Sequence, residues 1–268
     1  YKDIVINPKH GYGQNLNPCL ACKIFMVNQA QAWAWMEEND FDFIITGEVI
    51  GQRPKSQRAD TMPVIARESG AEDRLLRPLC AKNLPPTLPE REGWVDREKL
   101  YDFHGRNRKP QIELAHQLGF EDFAQPAGGC CFLTDESYSR KLADLWQARG
   151  ERRYELDDIR LLKIGRHIRP NERFKLMISR EEGENNFLEG YRKEFTNLRV
   201  LSHPGPLALI DGTPTEQDLA LAARIVARYS KGRSENLVEV QIEKTDGVVQ
   251  VLPTAPMHAD DIPKAWFI

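Results

Sequence analysis

The chain has 268 residues, enough for two ordinary domains or one large one, and 29% of them are charged, which suits a globular protein with a solvated surface. Its net charge of −3 lacks the basic excess that advertises nucleic acid, so RNA contact has to come from local patches. No apolar run approaches membrane-spanning length, which argues against a membrane partner.

The five cysteines are Cys19, Cys22, Cys80, Cys130 and Cys131. Their odd number, without the character of a small secreted domain, argues for a reducing compartment, here the cytoplasm, and against a disulfide framework. "YKDIVINPKHGYG" has no targeting character, and Tyr1 stands where an initiator Met would, so an N-terminal piece is expected upstream.

In chain order, the first telling stretch is "LNPCLACKIF", Leu16 to Phe25. Asn17 can N-cap a helix and Pro18 suits its first position, which predicts a helix over roughly Pro18 to Glu38. Cys19 and Cys22 then lie in its first turns, where the positive end of the helix dipole favours thiolate. A disulfide, a metal site, a redox pair and a nucleophile are all open readings of this pair.

"FDFIITG", Phe41 to Gly47, is a short apolar run and predicts a buried parallel strand. A polar loop follows and leads into a helix near Ser56 to Ser69. Gly47 and Gly51 let the backbone turn at the strand end. Glu48, Gln52, Arg53, Ser56 and Gln57 crowd polar groups there, as in the ligand crevice of a parallel α/β sheet. The plain alternative is a solvated loop. "RLLRPL", Arg74 to Leu79, predicts a second short strand, and Cys80 after it reads as a buried small hydrophobe. Pro85, Pro86 and Pro89 make a rigid loop. Helices are expected near Asp96 to Phe103, near Lys109 to Leu118, and from about Asp135, after the Gly-rich turn that holds Cys130 and Cys131. This alternation predicts an α/β layer with a parallel sheet over residues 1–150.

The pattern changes after Gly150, and the boundary is expected near Arg149 to Arg153. "LLKIGRHI", "FKLMIS", "LVEVQIE" and "GVVQVLP" read as strands. "TEQDLALAARIVARYSK" reads as a helix opened by a capping box of Thr215 and Asp218. Residues 151–268 thus predict a small α+β domain. On that helix Arg224, Arg228 and Lys231 are spaced to share one face, Arg233 extends the patch, and Ala222, Val226 and Tyr229 fall roughly opposite. The basic face reads either as an RNA-phosphate surface or as an ordinary solvated face.

One of Cys130 and Cys131, joined to Cys19 and Cys22, would make three thiolates. Three protein ligands leave the fourth iron of a 4Fe-4S cluster open for a sulfur species. Alternatively, one cysteine carries a persulfide and another resolves it by exchange.

"ITGEVIGQRPKSQ" resembles the "TGES-LGQ-SQT" segment of the tRNA 4-thiouridine sulfurtransferases, the ThiI family. "LRPL" with Lys82, and the late cysteine in "GGCCFLTD", also fit that family. "NPCLAC" resembles the "NPC-x-x-C" of the MnmA-like tRNA 2-thiouridylases. Both groups are PP-loop ATP-pyrophosphatases, and the motifs span roughly Asn7 to Trp146. The resemblance implies a partial PP-loop, Rossmann-like domain. It implies ATP with Mg as cofactor, and a tRNA uridine oxygen replaced by sulfur from a cysteine persulfide or a bound 4Fe-4S cluster. It further implies tRNA and a cysteine desulfurase or other sulfur donor as partners. Cys19 and Cys22, with Cys130 or Cys131, would hold the sulfur or metal. Cys131 suits the metal set, because a cysteine before two apolar residues also matches the 2-thiouridylases. Gly47, Glu48, Gln52 and Lys82 would form the cofactor site, with Glu48 and Gln52 meeting nucleotide or target base and Lys82 stabilising developing phosphate charge, and Arg53 and Arg58 would meet tRNA phosphates.

The second half resembles another module, the RNA-binding NFACT-R domain. "LMISREEGENNFL", "HPGPLALIDG" and "LAARIVARYSKGR" carry this likeness over roughly Ile164 to Ile242, with "SREEGEN" departing from the usual Gly-Arg-Asn start. A further departure concerns the first half. PP-loop enzymes hold pyrophosphate with a Ser-Gly-Gly-x-Asp-Ser loop at a helix start, and no such segment occurs here. The expectation is that the first strands and the phosphate loop lie upstream, and that this chain by itself does not use ATP. A non-catalytic RNA-binding protein on a degenerate α/β scaffold is the alternative.

Overall fold

The computed structural model describes residues 1–32, 41–125 and 131–268. They form two compact units, Tyr1–Glu136 and Ser137–Ile268. Cys130, the Gly128–Gly129 pair and the far end of the helix expected to reach Glu38 lie outside the described residues.

In the first unit α1 (Lys2–Ile6) and α2 (Cys19–Ala32) precede β1 (Ile44–Ile45). α3 (Met62–Glu68) leads to β2 (Leu75–Leu76), and α4 (Leu88–Arg91) and α5 (Lys109–Gln117) follow. β1 and β2 pair in parallel, Ile44 with Leu75 and Ile45 with Leu76, so α3 is the crossover that a parallel pair requires. Val27 of α2, Ile65 of α3, Ala71 and Leu75 form a small core beneath them.

Several sequence expectations change here. The parallel pairing holds, but a Rossmann-like sheet of several strands does not occur among the described residues, where the parallel part is two strands of two residues each. β2 is buried, whereas Ile45 of β1 is 60% exposed, because this narrow sheet leaves that side without a covering layer among those residues. The helix expected from Ser56 begins only at Met62. Thr61 caps a turn there, donating to Lys55 O at 3.1 Å, and Pro63 suits the first helical turn. The segment expected as a helix at Asp96 is one 3₁₀ turn, Arg97–Lys99.

The second unit opens with α6 (Glu136–Arg149) and α7 (Leu156–Leu161). The division at Glu136 precedes the boundary expected near Arg149, and the side chains of α6 explain it. Lys141 Nζ donates to Leu162 O and Gly165 O, both at 3.3 Å, and Asp144 pairs with Arg169 and Lys175. β3 (Arg166–Asn171), β4 (Phe174–Ile178), β5 (Thr196–Val200), β6 (Ala208–Gly212), β7 (Val238–Glu243) and β8 (Val249–Thr254) form one antiparallel sheet of order β3-β4-β6-β5-β7-β8. α8 (Glu182–Glu189) lies between β4 and β5, and α9 (Glu216–Arg228) between β6 and β7. The strand expected from Leu161 starts only at Arg166. Glu155 and Asp158 form a capping box that opens α7, and Leu161–Ile164 closes it.

α9 lays Leu219, Ala222, Ala223, Ile225 and Val226 on Phe174, Leu176, Leu198, Val240 and Ile242 of the sheet. β7 alternates buried Val238, Val240 and Ile242 with more exposed Glu239, Gln241 and Glu243, the period of a half-covered strand. β4 is buried on both sides, and Met177 joins Leu188 of α8 in a second cluster. The Thr215–Asp218 capping box forms as expected. Arg173 grips the Asp218 carboxylate at 2.7 and 2.8 Å and holds it well below the usual carboxylate range. His167, buried beside Lys175 and Lys141, is held well below its ordinary value, first by burial and then by those charges. No helix among the described residues is long and apolar enough to cross a membrane.

Candidate functional site

The first unit encloses a cavity of about 410 Å³ whose wall includes Cys19, Cys22 and Cys131. Local hydrogen bonding explains how a thiol from residue 131 reaches the start of α2. Asn15 Nδ2 donates to Thr134 O at 2.8 Å. Thr134 closes a 3₁₀ turn on Cys131, its N and Oγ1 donating to Cys131 O at 3.0 and 2.8 Å. Asn15 N in turn donates to Asn17 Oδ1 at 3.0 Å. The amide of Asn17 is thereby oriented, and its Nδ2 donates to Cys19 Sγ at 3.0 Å. The sequence reading gave Asn17 a helix cap; the structure gives this buried side chain to the sulfur. Gly13 makes room for it, since a Cβ there would lie 2.1 Å from Asn17 Nδ2. Cys22 sits one turn into α2, its N–H bonded to Pro18 O at 2.7 Å.

The opposite wall comes from the loop after β1, at the carboxyl end of a parallel strand, where such folds place ligands. It contributes Glu48, Arg53, Lys55, Ser56 and Gln57. Glu48 is 3% exposed, and its Oε2 accepts from Arg77 Nε at 3.1 Å and Thr46 Oγ1 at 3.0 Å. Its Oε1 has no hydrogen bond among the described residues and faces Lys23 Nζ at 3.6 Å. The cavity thus combines thiols, a buried carboxylate and cations at its rim. Arg77, Lys23, Asn15 and Thr134 were missed from sequence. Arg77 is the arginine of the "LRPL" motif, and Lys23 and Thr134 lie within "LNPCLACKIF" and "GGCCFLTD", but nothing in those motifs signalled their contacts.

Other expected site residues are placed elsewhere. Gln52 is buried and donates to Gln111, and Lys82 bonds Glu98 O at 2.9 Å; neither they nor exposed Gly47 line the cavity. Arg58 is exposed and forks onto Asp60 at 2.9 and 2.7 Å. Cys80 is fully buried, its thiol pushed up by that burial and bonded to Glu48 O at 3.2 Å, as its reading as a core residue expects.

Among the described residues no three His, Cys, Asp or Glu side chains stand together as a metal-holding group, and Cys130, one of the two candidate third ligands, lies outside them. Pro18, just before the first turn of α2, lines the cavity, and no glycine lines it among the described residues.

In the second unit Arg224 is exposed and Arg228 half-buried on α9, while Ala222 and Val226 on the other face are fully buried. The helix stops at Arg228, so exposed Lys231 and Arg233 do not continue its face. They lie in the turn that follows, where Lys231 N bonds Pro204 O at 2.8 Å. Tyr229 carries the Arg166 guanidinium 4.9 Å above its ring, a cation–π contact.

No curated protein matches the chain. Among solved structures the chain is similar to the C-terminal part of the fibronectin/fibrinogen-binding protein from Streptococcus suis, at 14% identity and a TM-score of 0.34, over 93% of this chain and 94% of that one. Residues 165–267, all within the second unit, match the family model of the NFACT protein RNA binding domain.

Proposed function

We propose that the chain is part of a tRNA-modifying sulfurtransferase, in which the thiol cavity passes sulfur to a uridine of an RNA held in part by the second unit. The observation that carries this reading is the meeting of Cys19, Cys22 and Cys131 in one cavity, in a chain with an RNA-binding domain match. A cysteine desulfurase or similar donor would leave a sulfane sulfur on one thiol as Cys–S–SH. The terminal sulfur attacks the activated ring carbon of the uridine, and the activated oxygen departs with its activating group. A second thiol then attacks the inner sulfur. The S–S bond breaks, its electron pair stays with the sulfur now on the uridine, and a cysteine disulfide forms, which a thiol reductant reopens with two electrons. The resemblance implies ATP as the source of the activating group on the uridine oxygen, and the steps above concern the sulfur alone.

Asn17 Nδ2 donates to the Cys19 sulfur and holds its orientation, and Arg53 and Lys55 on the cavity wall suit phosphate. Buried Glu48 pairs with Arg77 and with Lys23, and of the two cations Lys23 lines the cavity. In the intact protein, Cys19→Ser should abolish thiouridine in tRNA nucleosides measured by mass spectrometry, and Glu48→Ala should lower it. Unchanged thiouridine in the Cys19 variant refutes the reading. The match of residues 165–267 alone supports a narrower one, an RNA-binding protein without sulfur chemistry. It is favoured if RNA binds and no cysteine variant alters any nucleoside.

A further inference from the structure

A second basic element lies in a loop that crosses the one contributing to the cavity wall. "HGRNRKP", His104 to Pro110, places Arg106, Arg108 and Lys109 within four residues and contains no acid. All three side chains are exposed, and among the described residues none of them forms an ion pair with a carboxylate. Neighbouring cations of the same unit behave differently: Arg58, Lys82, Arg91 and Arg97 are paired with Asp60, Glu98, Asp73 and Glu90. Three unpaired cations so close together repel one another, which costs stability unless an anion visits them.

The backbone fixes where this element lies. Gly105 N donates to Ile50 O at 2.7 Å, and Ile50 and His104 form a parallel bridge. Gly51 and Gly105 both have φ of +78°, and a Cβ on Gly51 would lie 3.4 Å from the Gly105 backbone. Two loops therefore cross at their glycines. Gln52 bonds Gln111 on the far side of the crossing, at the first turns of α5. One of these loops is the one that sends Arg53, Lys55, Ser56 and Gln57 into the cavity wall. A ligand lying along residues 106–109 is thus carried on the same crossed-loop scaffold as the cavity rim.

We infer that Arg106, Arg108 and Lys109 form a docking strip for the phosphate backbone of RNA, set to present a nucleotide to the thiol cavity. This rests on the RNA-directed reading above. Two guanidiniums and an ammonium read phosphate charge and not base identity, so the strip positions the RNA without choosing its sequence. It also explains how a chain of net charge −3 attracts a polyanion in its first unit.

The test measures tRNA binding by the 268-residue chain across a salt series, for wild type and for Arg106→Ala/Arg108→Ala/Lys109→Ala. A control variant, Arg74→Ala/Lys193→Ala/Lys264→Ala, removes the same charge from exposed sites elsewhere. Each lost phosphate contact lowers the log–log salt slope by about 0.7 to 0.9, so the strip variant should lose about 2 to 3 from the slope and the control none. Bound tRNA should also slow alkylation of Cys131 in wild type and no longer do so in the strip variant. Wild-type binding with an unchanged slope in the strip variant, or an equal loss in the control, overturns the strip while leaving the RNA reading intact. A wild-type chain that binds no RNA overturns both. Binding of an acidic polypeptide at the strip, with RNA binding unaltered by the variant, also overturns the inference.

Discussion

The two units are held together in different ways. The second is a six-stranded sheet with one long helix across it, and its interior is a continuous apolar cluster from Ile168 to Ile262. Among the described residues the first has one pair of two-residue strands and a small cluster of Val27, Ile65, Ala71 and Leu75, and polar contacts tie several of its loops. Asn15 ties Thr134 to the start of α2, Arg77 holds Glu48, and glycines let loops cross. The comparison teaches where chemistry can reside. A packed sheet gives a rigid platform for a sequence-tolerant surface, whereas a polar, loop-built shell can bring thiols, a carboxylate and cations to one cavity.

The largest expected effects separate these two modes. Phe174→Ala in the second unit should cost about 3–5 kcal/mol through the cavity it leaves, seen as loss of its thermal transition. Arg77→Met in the first unit should cost about 3–5 kcal/mol, because it leaves the Glu48 carboxylate buried without its main partner. Arg77→Met combined with Glu48→Leu should regain most of that stability in denaturant melts. A double variant no more stable than the single one would mean that the pair is not what holds this loop.

Acid should act on the second unit in two stages. His167 is depressed in the fold, so the unfolded chain takes up a proton first, and stability should decline as pH falls below about 6.5. Asp218 is depressed too, so its contribution is present above about pH 3.9 and is lost as pH falls further toward its folded value. Melting temperature against pH should show both declines, and Asp218→Asn should remove the lower one. A smaller effect is expected at the helix start. Thr215→Ala should cost about 1 kcal/mol by opening the capping box, measured by urea unfolding. On the surface, Arg224→Glu/Arg228→Glu/Lys231→Glu should weaken tRNA binding and flatten its salt dependence without lowering the melting temperature. Equal binding at every salt concentration would leave that face as merely solvated.

Legibility in the sequence followed the same contrast. In the second unit, an apolar run located β4, and period-2 and period-3.6 patterns located β7 and α9 with its cap, because those two have one face on a core. In the first, "FDFIITG" read as a buried strand although only Ile44 and Ile45 pair, since an apolar run does not say how many strands will cover it. The thiol pair and Glu48 were legible from their motifs. The Asn15–Thr134 bond and the Lys23–Glu48 pair were not, because contacts between residues far apart in the chain leave no local pattern. Lys82 and Gln52 were adjacent to the right motifs but point to Glu98 and Gln111 instead.

The central claim is that the cavity thiols carry transferable sulfur. Anaerobic incubation of the chain with a cysteine desulfurase and cysteine, followed by peptide mass spectrometry, tests it most directly. The account predicts an added sulfur of about 32 Da, from the Cys–S–SH linkage itself, on Cys19, Cys22 or Cys131, and none on buried Cys80. An adduct confined to Cys80, or no adduct on any cavity thiol, would contradict it.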